Sequence, residues 1–526
     1  MNLLHSALRL LCLLVALPLG AADFTESRRA AEKLFAEGAY AQAHEAYLAI
    51  ATNSLAKADQ RWVAFRRADT QWRAAATGNG TLPRIEEVAP DLAPMAPTDA
   101  PAIERDQVWA EVNESLGDFH QRRGDPREWL INRYVLALDW WAGQSDLETA
   151  RSRYLKITWK WHHPPQLGRN FPGYWGEFPV WAVDNAVTIA REPSDVARAH
   201  YLRAVMNLRQ GGNDRALAQI EEDFQAALQP GKTTEWYDDA LFQYANWLGT
   251  SGKLHLYEEG RWQRESDYVR ALAMYRRIVA EFKEGETRYW QPAKQQIEAI
   301  TAAQLSLSVQ GFFLPGSETQ FFANWRNVKE VAFTLTAVNM PRDVKFTDPK
   351  RTSNEWLQFL TTGETKPLRR WTVETKDTGE HLPGSQTFNL TNKLAPGAYL
   401  LEAKAGNQSA RELLLVSDAT LVLKTSGKQT LAWFVDALTG KPIPEAAVKL
   451  WLHYYDGSGD KPRWDSQEKA TDSSGVAVFN FDGRNGDLFA SARAGERQAF
   501  ALTWENAWYV GPDGWKVYAF TDRPAY

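Results

Sequence analysis

Two periodicities divide this chain. From Asp23 to about Ala303 the apolar residues recur at the three-to-four spacing of one helix face, and beyond about Leu305 they alternate as in half-buried strands. In the run 31–50, Ala31, Leu34, Gly38, Tyr40, Ala43, Tyr47 and Ile50 predict two helices in close contact. Small residues let them approach, Gly38 turns the chain, and Tyr47 fills the gap to the next pair. The pattern recurs at Tyr268, Ala271, Tyr275 and Ile278, with a first helix expected over Asp239–Leu248, ended by Gly249 or Gly252. The stretch 253–266 (KLHLYEEGRWQRES) reads as an insertion between these two helices, and a weaker third copy runs through Ala204, Gly211, Ala216 and Ile220. Helix pairs of this kind bury their faces only by stacking, which predicts a solenoid. Two stretches break the pattern. Thr77–Ala102 holds five prolines and few large apolar residues, so a loop or disordered excursion is expected. Trp159–Trp181, rich in Trp, Pro and Gly, is expected to be an ordered loop packed by its own aromatic rings.

After the switch, seven strands are predicted, centred on Leu305–Val309, Thr319–Ala323, Glu330–Val338, Arg370–Glu374, Gln386–Leu390, Ala398–Ala403 and Glu412–Val416. Val331, Phe333 and Leu335 alternate with Ala332, Thr334 and Thr336, which places the odd-numbered face inside. A second set of seven runs from Thr420 to about Thr503, with turns expected at Thr439-Gly440-Lys441-Pro442 and Ser474-Gly475. Each set makes a β-sandwich of the Ig-like or prealbumin-like kind.

The first 22 residues are read as a secretory signal: one positive charge, a short apolar run over Leu10–Leu19, then Gly20-Ala21-Ala22 before a cut between Ala22 and Asp23. Cys12, the single cysteine, lies inside that run and is not placed for lipidation. The mature chain then has no disulfide, no thiolate metal site and no thiol nucleophile, which suits a periplasmic or secreted protein resting on packing alone. A net charge of −5 without a basic stripe argues against nucleic acid or anionic membrane as partner.

The end of the chain, KVYAFTDRPAY (516–526), reads as a strand running into a turn at Pro524. The positions Tyr518, Thr521, Asp522, Arg523, Pro524 and Tyr526 resemble the opening of a macroglobulin-type domain in the alpha-2-macroglobulin family, large secreted proteins that trap proteases. The chain stops before the Arg-Pro-Gly that typically follows, which implies an N-terminal portion of a longer protein. The helical spacing in turn resembles tetratricopeptide repeats. The expected fold class is therefore a multidomain chain, an α-helical tetratricopeptide-like solenoid followed by all-β macroglobulin/Ig-like sandwiches. Its expected divisions are 1–22 signal peptide, 23–303 helical domain, 304–417 first sandwich, 418–511 second sandwich and 512–526 the first strand of a further macroglobulin domain. The resemblance implies an endopeptidase inhibitor. The family's thioester (Cys-x-x-Gln) and cleavable bait region would both lie further downstream.

Residue chemistry adds little. There is no His-Glu-x-x-His and no Gly-x-Ser-x-Gly, and Thr425-Ser426-Gly427-Lys428 is followed by Gln429, so it fails as a phosphate loop. His162-His163 lacks a third ligand, and Asp456–Asp460 lacks the glycine and glutamate of a calcium loop. Glu86-Glu87 and Glu221-Glu222-Asp223 read as solvated surface. No enzyme activity, cofactor or metal is expected. Of the 23 tryptophans, Trp140, Trp141, Trp159, Trp161, Trp175 and Trp181 either fill a core or line a surface that binds sugars or a partner's aromatic side chains. The expected role is a scaffold or docking segment of a protease trap, with proteases met through the full-length parent and a possible protein partner on the helical concave face. The alternatives are a tetratricopeptide interaction scaffold of the cell envelope and a carbohydrate-binding module.

Overall fold

The computed structural model describes residues 24–77, 81–161, 179–210, 214–256, 258, 260–309, 311–363, 365–390, 393–426, 429–455, 461–481, 484 and 486–503. The signal and its cut at Ala22/Asp23, the C-terminal motif Tyr518–Tyr526, His162-His163, Trp175 and Asp456–Asp460 lie outside these residues. The helices are α1 Phe24–Ala36, α2 Tyr40–Leu48, α3 Lys57–Ala75, α4 Ile85–Val88, α5 Gln107–Arg123, α6 Arg127–Ala142, α7 Leu147–Trp161, α8 Val180–Ile189, α9 Pro193–Gln210, α10 Asp214–Leu228, α11 Tyr237–Ser251, α12 Tyr268–Glu281, α13 Trp290–Thr301 and α14 Met340–Asp343. The chain forms two compact units, Met1–Asn246 with Met274–Ala293, and Trp247–Ala273 with Lys294–Tyr526. The division falls inside the helical block, within α11, α12 and α13.

In the first unit a continuous core runs from Ala31 to Met206. Ala31, Ala43 and Tyr47 are fully buried, as the α1/α2 pattern requires, and Gly38 takes the left-handed φ of 77° that an L side chain resists. The middle helix is α5, nearly all of which is buried between Val108 and Phe119. It meets α6 closely because Gly117 has no side chain: a Cβ there would sit 2.5 Å from the Tyr134 ring.

The proline-rich stretch corrects the expectation of a loose excursion. Leu82, Ile85, Ala89, Leu92, Ala96 and Ala100 are all buried in the same core. Side-chain donors from neighbouring helices satisfy the backbone carbonyls: Arg61 reaches Met95 O at 3.2 Å, Arg133 reaches Ala96 O at 2.9 Å, and Trp109 Nε1 reaches Pro97 O at 3.0 Å. Prolines supply no backbone N–H, so a segment of this kind needs acceptors satisfied more than donors. The insertion at 253–266 forms a hairpin, β1 Lys253–Leu256 paired antiparallel with β2 Trp262–Glu265.

The second unit carries both predicted sets of strands. The first sandwich comprises β3 Gln304–Ser308, β4 Thr319–Arg326, β5 Glu330–Val338, β6 Arg369–Glu374, β7 Gly384–Leu390, β8 Gly397–Ala405 and β9 Gln408–Val416, in sheets ordered β3-β4-β7 and β6-β5-β8-β9. The other comprises β10 Ala419–Ser426, β11 Gln429–Asp436, β12 Ala447–Tyr455, β13 Pro462–Ala470, β14 Val476–Asn480, β15 Gly486–Ala494 and β16 Arg497–Thr503, ordered β10-β11-β14 and β13-β12-β15-β16. Val331, Phe333 and Leu335 face the first sandwich core, so the odd-numbered register holds.

Several strands are buried on both faces. In β8, Tyr399, Leu401 and Ala403 enter the sandwich core, whereas Ala398 and Leu400 enter a second core. In β9, Leu414 and Val416 point inward, and Leu413 and Leu415 outward. The other sandwich answers in kind: Val448, Leu450 and Leu452 line its own core, and Trp451 and Phe489 join the shared one. The connection between β5 and β6 fills the space between. Its residues Met340, Val344, Trp356, Phe359 and Leu360 are buried there. Polar ties close the edges: Gln498 accepts from Met340 N and donates to Val338 O, both at 2.9 Å, and the His453 ring meets Pro349 O at 2.8 Å.

Candidate functional site

The most concentrated polar chemistry lies along α5 and is internally paired. Asp69, 1% exposed, accepts from Ser115 Oγ at 2.5 Å, Arg73 Nε at 2.8 Å and Trp72 Nε1 at 3.2 Å. Asp118 accepts from Arg73 at 2.7 Å, Tyr134 Oη at 2.8 Å and Lys160 at 2.9 Å. Burial pushes the Asp118 carboxyl up, but Lys160 and Arg73 together hold it below the ordinary aspartate value. Lys160 also pairs with Glu114, and Arg66 with Glu32. Every carboxylate in this ladder has a cation within reach, which makes it a structural network.

A second cluster sits between α9 and α10. Asp223, read from the sequence as solvated, is fully buried, gripped by Arg203 at 2.8 and 2.9 Å and by the His200 ring at 2.7 Å. Its place on the inner face of α10 decides this; Glu222 beside it is not in the buried set. Glu86 and Glu87 are exposed as expected.

A third cluster centres on Asp239 in α11, which accepts from Tyr289 Oη at 2.7 Å and pairs with Arg288. Burial lifts its carboxyl to about 6, although Arg288 pulls the other way; neighbouring Asp238 adds to the rise. A carboxyl whose folded pKa exceeds its unfolded value binds more protons folded than unfolded between the two, so its contribution to stability falls as pH rises from about 4 to about 6. Asp239→Asn is expected to remove this slope. Urea unfolding at pH 4 and pH 7 should show the stability difference between variant and parent changing by about 2–3 kcal/mol. Parallel behaviour of the two proteins would refute it.

The first unit also contains an open cavity of ≈ 370 Å³ between the C-terminal end of α6, the N-terminal half of α7 and the C-terminal half of α8. Trp141, Leu147, Ala150, Tyr154 and Ile189 supply its apolar surface, and Gln144, Arg151, Asn185, Thr188 and Arg191 its polar one. Helical spacing places Leu147, Ala150, Arg151 and Tyr154 on one face of α7. Tyr154 Oη donates to Ala182 O at 3.1 Å, and burial pushes its hydroxyl up to about 12. Glu148 bridges Arg151 at 2.7 Å and Arg191 at 3.2 Å. Two buried N–H groups of the lining residues, Trp141 Nε1 and Arg151 Nε, have no hydrogen-bond partner among the described residues. A second cleft in the same unit, also ≈ 370 Å³, is lined by Phe119, His120, Arg123, Asp125 and Trp129 among others. The second unit has a polar groove of ≈ 520 Å³ with Arg342, Lys449, Glu468 and Arg493 on its walls.

The tryptophans singled out from the sequence divide between these roles. Trp141 is buried and lines the cavity; Trp140 is half-buried and donates to Arg105 O at 3.0 Å. Trp159 donates to Asp195 at 2.8 Å, and Trp181 is exposed. Nothing in the sequence pointed to Tyr154, Arg151 or Asn185; the one available signal was the shared face of α7. Among the described residues no group of three or more His, Cys, Asp or Glu is arranged to hold a metal ion, and no helix is long and apolar enough to cross a membrane.

No family model matches the chain. A curated relative, an alpha-2-macroglobulin of Ralstonia nicotianae, is 33% identical over 141 residues, 26% of this chain and 8% of that protein. The chain thus matches under a tenth of the relative's length. Among solved structures, a piece of native Escherichia coli alpha-2-macroglobulin spanning domains MG0-NIE-MG1 is 13% identical, covering 38% of this chain and 64% of that one at a TM-score of 0.26. A piece spanning NIE-MG1 covers 38% and 97% at 13% identity and a TM-score of 0.24. Red sea bream transglutaminase covers 42% and 34% at 11% identity and a TM-score of 0.18. Superpositions at such scores decide nothing. What the comparisons carry is a sequence similarity, over 141 residues of this chain, to an alpha-2-macroglobulin.

Proposed function

We propose that this chain is the N-terminal scaffold and docking portion of a secreted or periplasmic endopeptidase inhibitor that traps its target protease. The 33% identity to an alpha-2-macroglobulin carries the reading. Two consecutive sandwiches locked by a shared core support it, since they form a stiff support on which further domains can be built. The N-terminal segment with its expected cut at Ala22/Asp23 supports export. In this reading the described residues supply surface and rigidity and no bond-making chemistry, and proteases are met through the longer protein.

The test is a protease assay with a large protein substrate and a small chromogenic one. This chain at equimolar amounts should leave both rates unchanged. A longer form extended beyond Tyr526 should spare the large substrate while the small one is still cleaved. Loss of activity toward neither substrate with the extended form overturns the inhibitor reading, and protection of the large substrate by this chain alone overturns the scaffold assignment.

A further inference from the structure

We propose that β7 is a docking edge on which a second copy of this chain pairs antiparallel, so that two first sandwiches share one sheet ordered β3-β4-β7 and then β7-β4-β3 of the second copy. An open sheet edge invites another strand, and folded proteins ordinarily defend it with charges, prolines, bulges or a covering segment. The four sheets of the two sandwiches have eight outer strands. Of these, β3 lies alongside β9 and β10 alongside β16, so each shields the other. β6 carries Arg369, Arg370 and Glu374, and β13 begins at Pro462 and is charged along its length. The short β14 has carbonyls already taken from the side: Gln467 Nε2 donates to Asn480 O and Lys469 Nζ to Val478 O, both at 2.6 Å. β7 has none of these devices. Gly384–Leu390 contains neither charge nor proline and pairs with β4 residue for residue, without a bulge. Beyond that ladder none of its backbone groups is hydrogen-bonded among the described residues.

The strand is complementary to itself, which selects a second copy as the occupant. A two-fold axis through Thr387 is the register that pairs all seven residues. It sets Thr387 against Thr387, Ser385 against Asn389, Gln386 against Phe388 and Gly384 against Leu390. No like charges meet, and each face of the joined sheet keeps its character: Ser385, Thr387 and Asn389 lie outside, Gln386 and Phe388 inside. The inner face also lacks cover. Phe388 stacks on Phe321 at 4.9 Å but is only half-buried, and Gln386 on the same face is exposed. Across the gap Trp371 of β6 is half-buried as well. In the two-fold pair the Gln386 stem of each copy lies beside Phe388 of the other, and the two Phe388 rings fall on one diagonal, within reach of aromatic side chains. Thr387 is exposed in the single chain, and its burial against its own copy is specific to this arrangement. The inference stands apart from the protease-trap reading, since it uses only the first sandwich.

The experiment is sedimentation velocity on the full chain between about 1 and 100 µM, a range that resolves a dimer of micromolar affinity. The parent should shift from monomer to dimer across it. Thr387→Lys and Thr387→Glu each place like charges face to face at the axis and should weaken the dimer at least tenfold. Their thermal unfolding at 1 µM should match the parent's, because the side chain is exposed there. An equimolar mixture of the two variants sets Lys against Glu and should restore the dimer. A parent that stays monomeric at about 100 µM overturns the self-pairing and leaves the edge to a strand from another protein. A dimer that neither variant weakens overturns β7 as the interface, and a mixture that stays monomeric overturns the two-fold register through Thr387.

Discussion

Phe489→Ala is expected to loosen both β-sandwiches at once and to cost about 3–5 kcal/mol. Phe489 belongs to β15 of the second sandwich, yet its ring is fully buried in the core that both sandwiches share. It lies 5.1 Å from Trp356, 5.5 Å from Phe346 and 5.6 Å from Trp451, so the connection between β5 and β6 and the outer face of β12 both rest on it. The facing residues Leu400, Leu413 and Leu415 come from the first sandwich. Removing the ring leaves a cavity against both walls, and the two sheets cannot both collapse into it. Hydrogen exchange followed by mass spectrometry on the full chain should show protection lost in β8 and β9 as well as in β12 and β15. Phe479→Ala is the control, because Phe479 is equally buried but lies in the second sandwich's own core. It should weaken that sandwich first. Loss confined to the second sandwich in the Phe489 variant would show that the two domains fold independently.

Asp69→Ala should cost about 3–5 kcal/mol in the helical unit. The carboxylate holds the Ser115 hydroxyl, the Trp72 indole and the Arg73 guanidinium, and lies 3.5 Å from Arg66. Arg66 and Arg73 are themselves mostly buried, so the variant leaves cations in the interior with fewer counter-charges. The loss is then the penalty of uncompensated burial and exceeds that of a surface pair, commonly below about 1 kcal/mol. Asp69→Asn keeps an acceptor for Ser115 and Trp72 and should cost less than half as much. The readout is hydrogen exchange in α3 and α5, which Asp69 bridges through Ser115. Unchanged protection in the alanine variant would mean that water takes over the carboxylate's role.

The strand register was legible because alternation reports directly on burial: Val331, Phe333 and Leu335 stand out against Ala332 and Thr334. The helical pairing of Ala31, Ala43 and Tyr47 was legible for the same reason at a different period. The continuous apolar runs in β8, β9 and β12 carried a further message, that both faces of those strands are covered. What covers them was not readable, since the partner residues lie in the connection 339–360 and in another domain. The proline-rich stretch misled because its order depends on Arg61, Arg133 and Trp109, donors distant in sequence that leave no local periodic trace.

The cavity belongs to the same class. Trp141 from α6, Arg151 and Tyr154 from α7, and Asn185 from α8 are each unremarkable in their own helices. Local chemistry, in the form of periodicity and small residues at crossings, determined which segments are helix or strand and which faces turn inward. The meeting of these four side chains, the burial of Asp223 and Asp69, and the joining of two sandwiches through Phe489 were decided only by tertiary packing. Such contacts link residues whose separation along the chain far exceeds the few positions over which backbone geometry repeats, and no spacing rule encodes them.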